Sequence, residues 1–144
     1  MYLLDTNVVS ETRKGSRADT GVMRWISSVS DDELYVSVLV IGEVRQGIEN
    51  LIRRDPVQAN HLEAWLSSLR RRYAERILPI DLEIAEEWGR MNAPDPISSR
   101  DGLMAATAKA RNMTFVTRNT ADVQRTGARL LDPFEGGSAS PRRD

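Results

Sequence analysis

Carboxylates are the side chains through which this chain could do chemistry. Its 144 residues include no cysteine and a single histidine, His61. Disulfides, thiolate metal sites and a cysteine nucleophile are thereby excluded, and a Ser-His-Asp relay would have to use that one imidazole. His61 lies in Asn60-His61-Leu62-Glu63, mid-way along an amphipathic helical stretch, and reads as a surface or half-buried helical residue. In an open parallel sheet ligands sit beyond the carboxyl ends of the strands, so acids placed just after strands are the ones to inspect. Asp5 directly follows the apolar run Tyr2-Leu3-Leu4, and Asp122 follows Thr114-Phe115-Val116-Thr117 after a short turn. Asp101 opens the alanine-rich segment that leads into that second run. Glu43 shares an i±4 ridge with Leu39 and Gly47 at the border of an apolar helical stripe, so its carboxylate faces inward. Singly, each has a structural reading as well: a strand-end cap for Asp5, the N3 member of a capping box for Asp101, a first-turn acid for Asp122 and a solvated helical acid for Glu43.

The elements that must position these acids follow from periodicity and punctuation. Tyr2-Leu3-Leu4 reads as a strand, ended by the capping residues Asp5-Thr6-Asn7. Short helices are expected over 8–13 and 22–29, a second strand over 34–36, and a long helix from the N-cap Ser37 to about residue 54, with Val40, Val44, Ile48 and Leu51 on one stripe. Another helix covers 57–73. Residues 77–80 form a strand that Pro79 confines to an edge or end, and a helix starting at Asp81 presents Leu82, Ile84, Ala85 and Trp88. Ser98 with Asp101 is an S-x-x-D cap for the alanine-rich helix, and strands over 114–117 and 128–131 flank a helical turn at 121–125. Strands alternating with helices predict an α/β fold with a mainly parallel sheet of about five short strands.

Length and composition suit one domain: 40% of residues are hydrophobic and 28% charged. The domain is expected over 1–134, with a disordered polar tail over 135–144. Twenty-one acids balance 20 bases to a net charge of −1, which excludes nucleic-acid binding by gross positive charge but leaves room for a local basic patch. No targeting segment precedes the first acid, and the longest apolar stretch, residues 36–41, is far below membrane-spanning length; a cytoplasmic location is expected.

The sequence around the acids adds a resemblance. Leu4-Asp5-Thr6-Asn7-Val8-Val9-Ser10-Glu11, Ile41-Gly42-Glu43-Val44-Arg45-Gln46-Gly47-Ile48, Asp101-Gly102-Leu103-Met104-Ala105-Ala106-Thr107-Ala108 and Val116-Thr117-Arg118-Asn119 followed by Asp122 resemble the PIN-domain family in order and spacing, over about residues 2–134. The likeness is to the VapC/FitB-type toxins of bacterial toxin–antitoxin pairs. One departure is Val123, where close relatives often carry phenylalanine. The resemblance implies a three-layer α/β/α sandwich and puts Asp5, Glu43, Asp101 and Asp122 at the family's catalytic, metal-binding acidic positions, supported by Thr6, Asn7, Thr117 and Asn119. It also implies an endoribonuclease that leaves 5′-phosphate and 3′-hydroxyl ends, a small cognate antitoxin as inhibitor, and a homodimer. The physics agrees: clustered carboxylates repel until a cation joins them, and oxygen-only ligands select a hard ion such as Mg²⁺ or Mn²⁺, one or two of them.

An acidic site needs nearby bases to hold anionic RNA. Arg118, beside the site, is the first candidate for a phosphate contact, with Arg13, Lys14, Arg45 and Arg100 as candidate supports. Arg70-Arg71-Arg72 with Arg76 reads either as an RNA patch or as the solvated end of a helix, where cations suit the dipole. Trp25, Trp65 and Trp88 lie on apolar stripes and read as packing residues. Setting four acids aside around metal leaves 17 against 20 bases, a body at +3. Two competing readings are a phosphatase or phospho-acceptor domain using Asp5, which lacks the second aspartate of a D-x-D motif, and a non-catalytic PIN-like interaction module.

Overall fold

In the computed structural model, which describes residues 1–135, five short strands form one parallel sheet in the order β3-β2-β1-β4-β5. The central strand β1 (Tyr2–Leu4) is buried on both faces, hence its unbroken apolar sequence. It leads into α1 (Thr6–Val9), which tightens into a 3₁₀ turn over Ser10–Arg13, and then into α2 (Thr20–Ser28). β2 (Leu34–Ser37) feeds α3 (Val38–Leu51) and α4 (Pro56–Arg72); β3 (Ile77–Leu78) feeds α5 (Leu82–Met91) and α6 (Ser99–Ala110); β4 (Thr114–Val116) feeds α7 (Thr120–Val123); β5 (Arg129–Leu131) closes the sheet. Tyr2 stands opposite Leu34 on one side and Thr114 on the other.

Parallel connections are right-handed almost without exception. The chain steps from β1 through β2 to β3 in one direction, then returns across the sheet to β4 and β5. The rule therefore puts α1–α4 on one face and α5–α7 on the other, the α/β/α layering expected. The sheet core joins Leu3, Leu4, Val36, Phe115 and Val116 to Val40, Ile48 and Leu66 of the helices.

Local chemistry sets the helix starts. Side-chain oxygens of Asp19, Ser37, Asp55, Asp81 and Ser98 accept from backbone N–H groups in the first turns of α2 to α6, and Pro56 opens α4 where no donor is needed. The helix expected over 8–13 is instead a short α-helix followed by a 3₁₀ turn. There Glu11 turns inward to accept from Asp19 N at 2.9 Å and Lys14 Nζ at 2.6 Å. Leu82, expected on the apolar face of α5, is 76% exposed. Trp88 of α5 packs against Gly102 of α6, where a Cβ would lie 3.0 Å from the indole, so glycine permits the close helix pair. Trp25 meets Tyr2 edge-on at 5.1 Å, as a packing residue should.

After β5 the chain crosses α2. A Cβ on Gly21 would stand 2.5 Å from Pro133 O, so only glycine admits this crossing. Asp19 Oδ2 ties it down, accepting from Val22 N at 3.0 Å and Glu135 N at 2.9 Å. The tail expected over 135–144 lies, from residue 136 onward, outside the described residues.

Candidate active site

Strands are added outward in opposite senses on either side of the boundary between β1 and β4, so the crevice at their carboxyl ends is the topological switch point of the sheet. Asp5 is the first residue past β1. Its N–H still bonds to the sheet, to Val116 O at 2.9 Å. Its side chain is held twice: Oδ1 accepts from Thr6 N at 2.7 Å and Oδ2 from the Thr117 hydroxyl at 2.6 Å. With 2% of its surface exposed, Asp5 is a buried carboxylate and requires such partners. Thr117, the first residue past β4, donates its N–H to Leu131 O and accepts from Asn119 N at 3.1 Å. Asn7 joins the two loops, accepting from Arg118 N at 3.3 Å. Thr6, Asn7, Thr117 and Asn119 thus fix the loops around Asp5.

Two helix starts bring further acids. Ser37 caps α3 directly after β2, which places Glu43 in the second turn of α3 above the same crevice, where it accepts a short hydrogen bond from the Thr6 hydroxyl. Ser98 caps α6 through Asp101 N, which places Asp101 in its first turn. The open cleft between them, about 500 Å³, is lined by Asp5, Thr6, Asn7, Glu43, Gln46, Arg100, Asp101 and Asn119.

The guanidinium of Arg100 lies among the acids. It pairs with Asp5, with Glu43 through Nε at 2.7 Å and Nη2 at 2.8 Å, and with Asp101 at 3.3 Å. Burial works against ionisation of Glu43, but the hydrogen bonds from Arg100 and Thr6 and the Arg100 charge outweigh it and hold the carboxyl below its usual range. Burial likewise opposes the charge on Arg100, and Glu43 and Asp5 overcome it, driving its pKa above the ordinary arginine value.

Three of the four acids singled out in the sequence therefore meet. Asp122 does not line the cleft: it lies exposed on α7, its N–H bonded to Asn119 O at 3.2 Å. Arg118 is exposed beside the cleft with its guanidinium 4.4 Å from the centre of the buried Phe134 ring. The candidate supports behave differently from one another. Lys14 pairs with Glu11, Arg45 grips Glu63 in a two-pronged pair at 2.7 and 2.8 Å, and Arg13 stacks over Trp65. Arg100 alone among them enters the site. Gln46 was missed, although its i+3 spacing from Glu43 was a readable signal.

The donor set fits a hard divalent ion. All the cleft acids are carboxylates, three of them share one guanidinium, and no cysteine or histidine lines the cleft. Among the described residues no three acids are yet gathered around one point closely enough to ligate an ion. The guanidinium, wider than an ion, stands between them.

The PIN domain model matches residues 2–128. The chain belongs to the PIN-domain family. It is similar to the VapC ribonuclease Y4jK of Sinorhizobium fredii, 31% identical over 142 residues that cover 94% of this chain and 99% of that protein. It is similar to Toxin FitB of Neisseria gonorrhoeae, 30% identical over 93% of this chain and 99% of the toxin. Among solved structures, FitAB bound to the IR36 DNA fragment has a chain that superposes with a TM-score of 0.84 at 29% identity, covering 97% of this chain and all of that one. A PIN domain is thus the fold that carries the cleft, and it extends over nearly the whole length of these relatives.

Proposed function

We propose that this PIN domain is the toxin of a type II toxin–antitoxin pair, an endoribonuclease that hydrolyses RNA phosphodiester bonds with Mg²⁺ or Mn²⁺ held by Asp5, Glu43 and Asp101. The observation that carries the reading is the meeting of these three carboxylates, from three separate elements, in the cleft at the switch point of the sheet. Near-full-length likeness to a ribonuclease and a toxin supports the reaction class and the biological role. Likeness to a chain of the FitAB structure supports a cognate antitoxin as partner, and a homodimeric toxin in the cytoplasm completes the reading.

When bound, the ion supplies a water nucleophile at neutral pH and neutralises charge on the phosphate oxygens. The chain supplies the positioning. Asp5 is held by Thr6 N and the Thr117 hydroxyl, which would keep its carboxylate in place to hold the ion. Thr6 also orients Glu43, which couples α1 to α3. Arg118, exposed at the rim, is the candidate phosphate contact, with Gln46 and Asn119 on the cleft wall beside the RNA. Asp122, exposed on α7, would act from outside the first ring of ligands. No histidine base is required, which suits a chain whose one imidazole, His61, lies exposed on α4. A phospho-acceptor role for Asp5 fits poorly, because Asn7 stands where a D-x-D motif would have its second aspartate.

Asp5→Asn and Glu43→Gln are each expected to lower Mn²⁺-dependent RNA cleavage by roughly a hundredfold or more and to relieve growth arrest on expression. Variants as active and as toxic as the wild type would remove the site from this cleft.

A further inference from the structure

We propose that Arg100 is a built-in counter-cation of this cleft, which holds Asp5, Glu43 and Asp101 together while no divalent ion is bound and is displaced when one enters. The inference rests on the metal-dependent reading above and adds a role for a residue of the chain itself.

Among the described residues, Arg100 is the one base that pairs with three carboxylates, and those three are the proposed ligands. The other paired arginines each meet one or two acids, as Arg45 does with Glu49 and Glu63. Arg100 sits in the first turn of α6 next to Asp101, yet its side chain bends back across the cleft to reach Asp5 and Glu43. Its Nε, Nη1 and Nη2 spread over the acids, so the guanidinium fills the space that an ion would need. A guanidinium carries one positive charge, against three carboxylates; a divalent ion balances the acids better and accepts them at shorter distance.

The way out is open. The Arg100 side chain is 30% exposed in an open cleft, so turning it outward uncovers no apolar core. The cost of displacement is the loss of its charged hydrogen bonds, and that cost is charged against metal affinity: apparent binding is weakened by the fraction of molecules in which the arginine holds the acids. Removing the guanidinium therefore tightens metal binding, and it also leaves the acids to repel one another when no metal is present.

Calorimetric titration of Mn²⁺ alone, with no RNA, into the full chain separates these effects. Arg100→Met is expected to bind Mn²⁺ roughly tenfold more tightly than wild type, the scale of one lost charged hydrogen bond. Arg100→Lys, which keeps the charge but loses the fork, should fall between, and it carries the test if Arg100→Met does not fold without metal. Arg90→Met, which removes a base from the exposed face of α5, should bind as wild type does. In EDTA, Arg100→Met should melt below wild type, the gap closing at saturating Mn²⁺. Arg100 variants that bind Mn²⁺ no more tightly than wild type overturn the counter-cation while leaving the site intact, provided Asp5→Asn has lost binding. Undiminished binding by Asp5→Asn overturns the metal reading and the inference together.

Discussion

The two ends of the sheet are both closed by arginine and acid, and they are closed differently. At the amino ends of β2 and β3, Arg72 and Arg76 converge on one acid, Asp31. Arg72 Nη2 reaches Asp31 Oδ1 at 2.7 Å, while Arg76 donates to the backbone oxygens of Asp31, Leu34 and Arg72 at 2.6 to 2.7 Å. Both guanidiniums lie against the buried Tyr73 ring, at 5.2 and 5.3 Å. At the carboxyl ends of β1 and β4, three acids share the single Arg100. The first cluster has more cation than acid and spends the excess on carbonyls, so it is a finished tie between α4 and the sheet. The second has more acid than cation and lies in an open cleft. The same pairing chemistry is structural where charge is answered and prepared for a ligand where it is not.

Substitutions should divide along that line. The largest effect is expected at the cleft: Asp101→Asn should lower RNA cleavage about a hundredfold, whereas Asp122→Asn, outside the cleft, should cost less than about tenfold. Steady-state cleavage rates check both, and equal losses would put Asp122 among the ligands. At the opposite end, Arg76→Met should leave cleavage unchanged and destabilise the fold by about 2 kcal/mol, because carbonyls that it satisfies lose their donor. Urea unfolding measures this, and a drop in activity at unchanged stability would give the basic cluster a role in RNA binding instead.

A smaller effect concerns acid. The Arg72 hydrogen bond, ahead of the opposing effect of burial, holds the Asp31 carboxyl below its usual range. The unfolded chain therefore protonates Asp31 first, and the stabilisation, complete above the unfolded carboxylate pKa near ~4, disappears as pH falls through the lower folded value. The side chain is 55% exposed, so screening limits the contribution to below about 1 kcal/mol. Asp31→Asn should flatten the stability profile below pH ~4 by that amount, and an unchanged profile would remove the pair from the stability balance.

The sequence made most of the site's scaffold legible, because the positions of Asp5, Ser37, Asp81 and Ser98 are dictated locally, by strand ends and cap chemistry. Glu43 was legible from helical periodicity. The sequence places Arg100 among the candidate supports for RNA and not at the centre of the acids, because the reach of a long side chain is decided by a field that three distant segments create together. Asp122 followed the right strand at a plausible spacing, yet the turn at Asn119 leads it onto the exposed side of α7. The basic run at 70–76 read as a solvated helix end or an RNA patch. Arg72 and Arg76 are spent on Asp31 and carbonyls, a pairing across some forty residues that no local pattern announces.

The central claim is that the cleft is built for a divalent cation. Its most direct test is an anomalous difference map from crystals grown with Mn²⁺. The account predicts a peak within about 2.3 Å of oxygens of Asp5, Glu43 and Asp101, with the Arg100 guanidinium turned away from them. A peak elsewhere, or none there with the guanidinium still among the carboxylates, would contradict it.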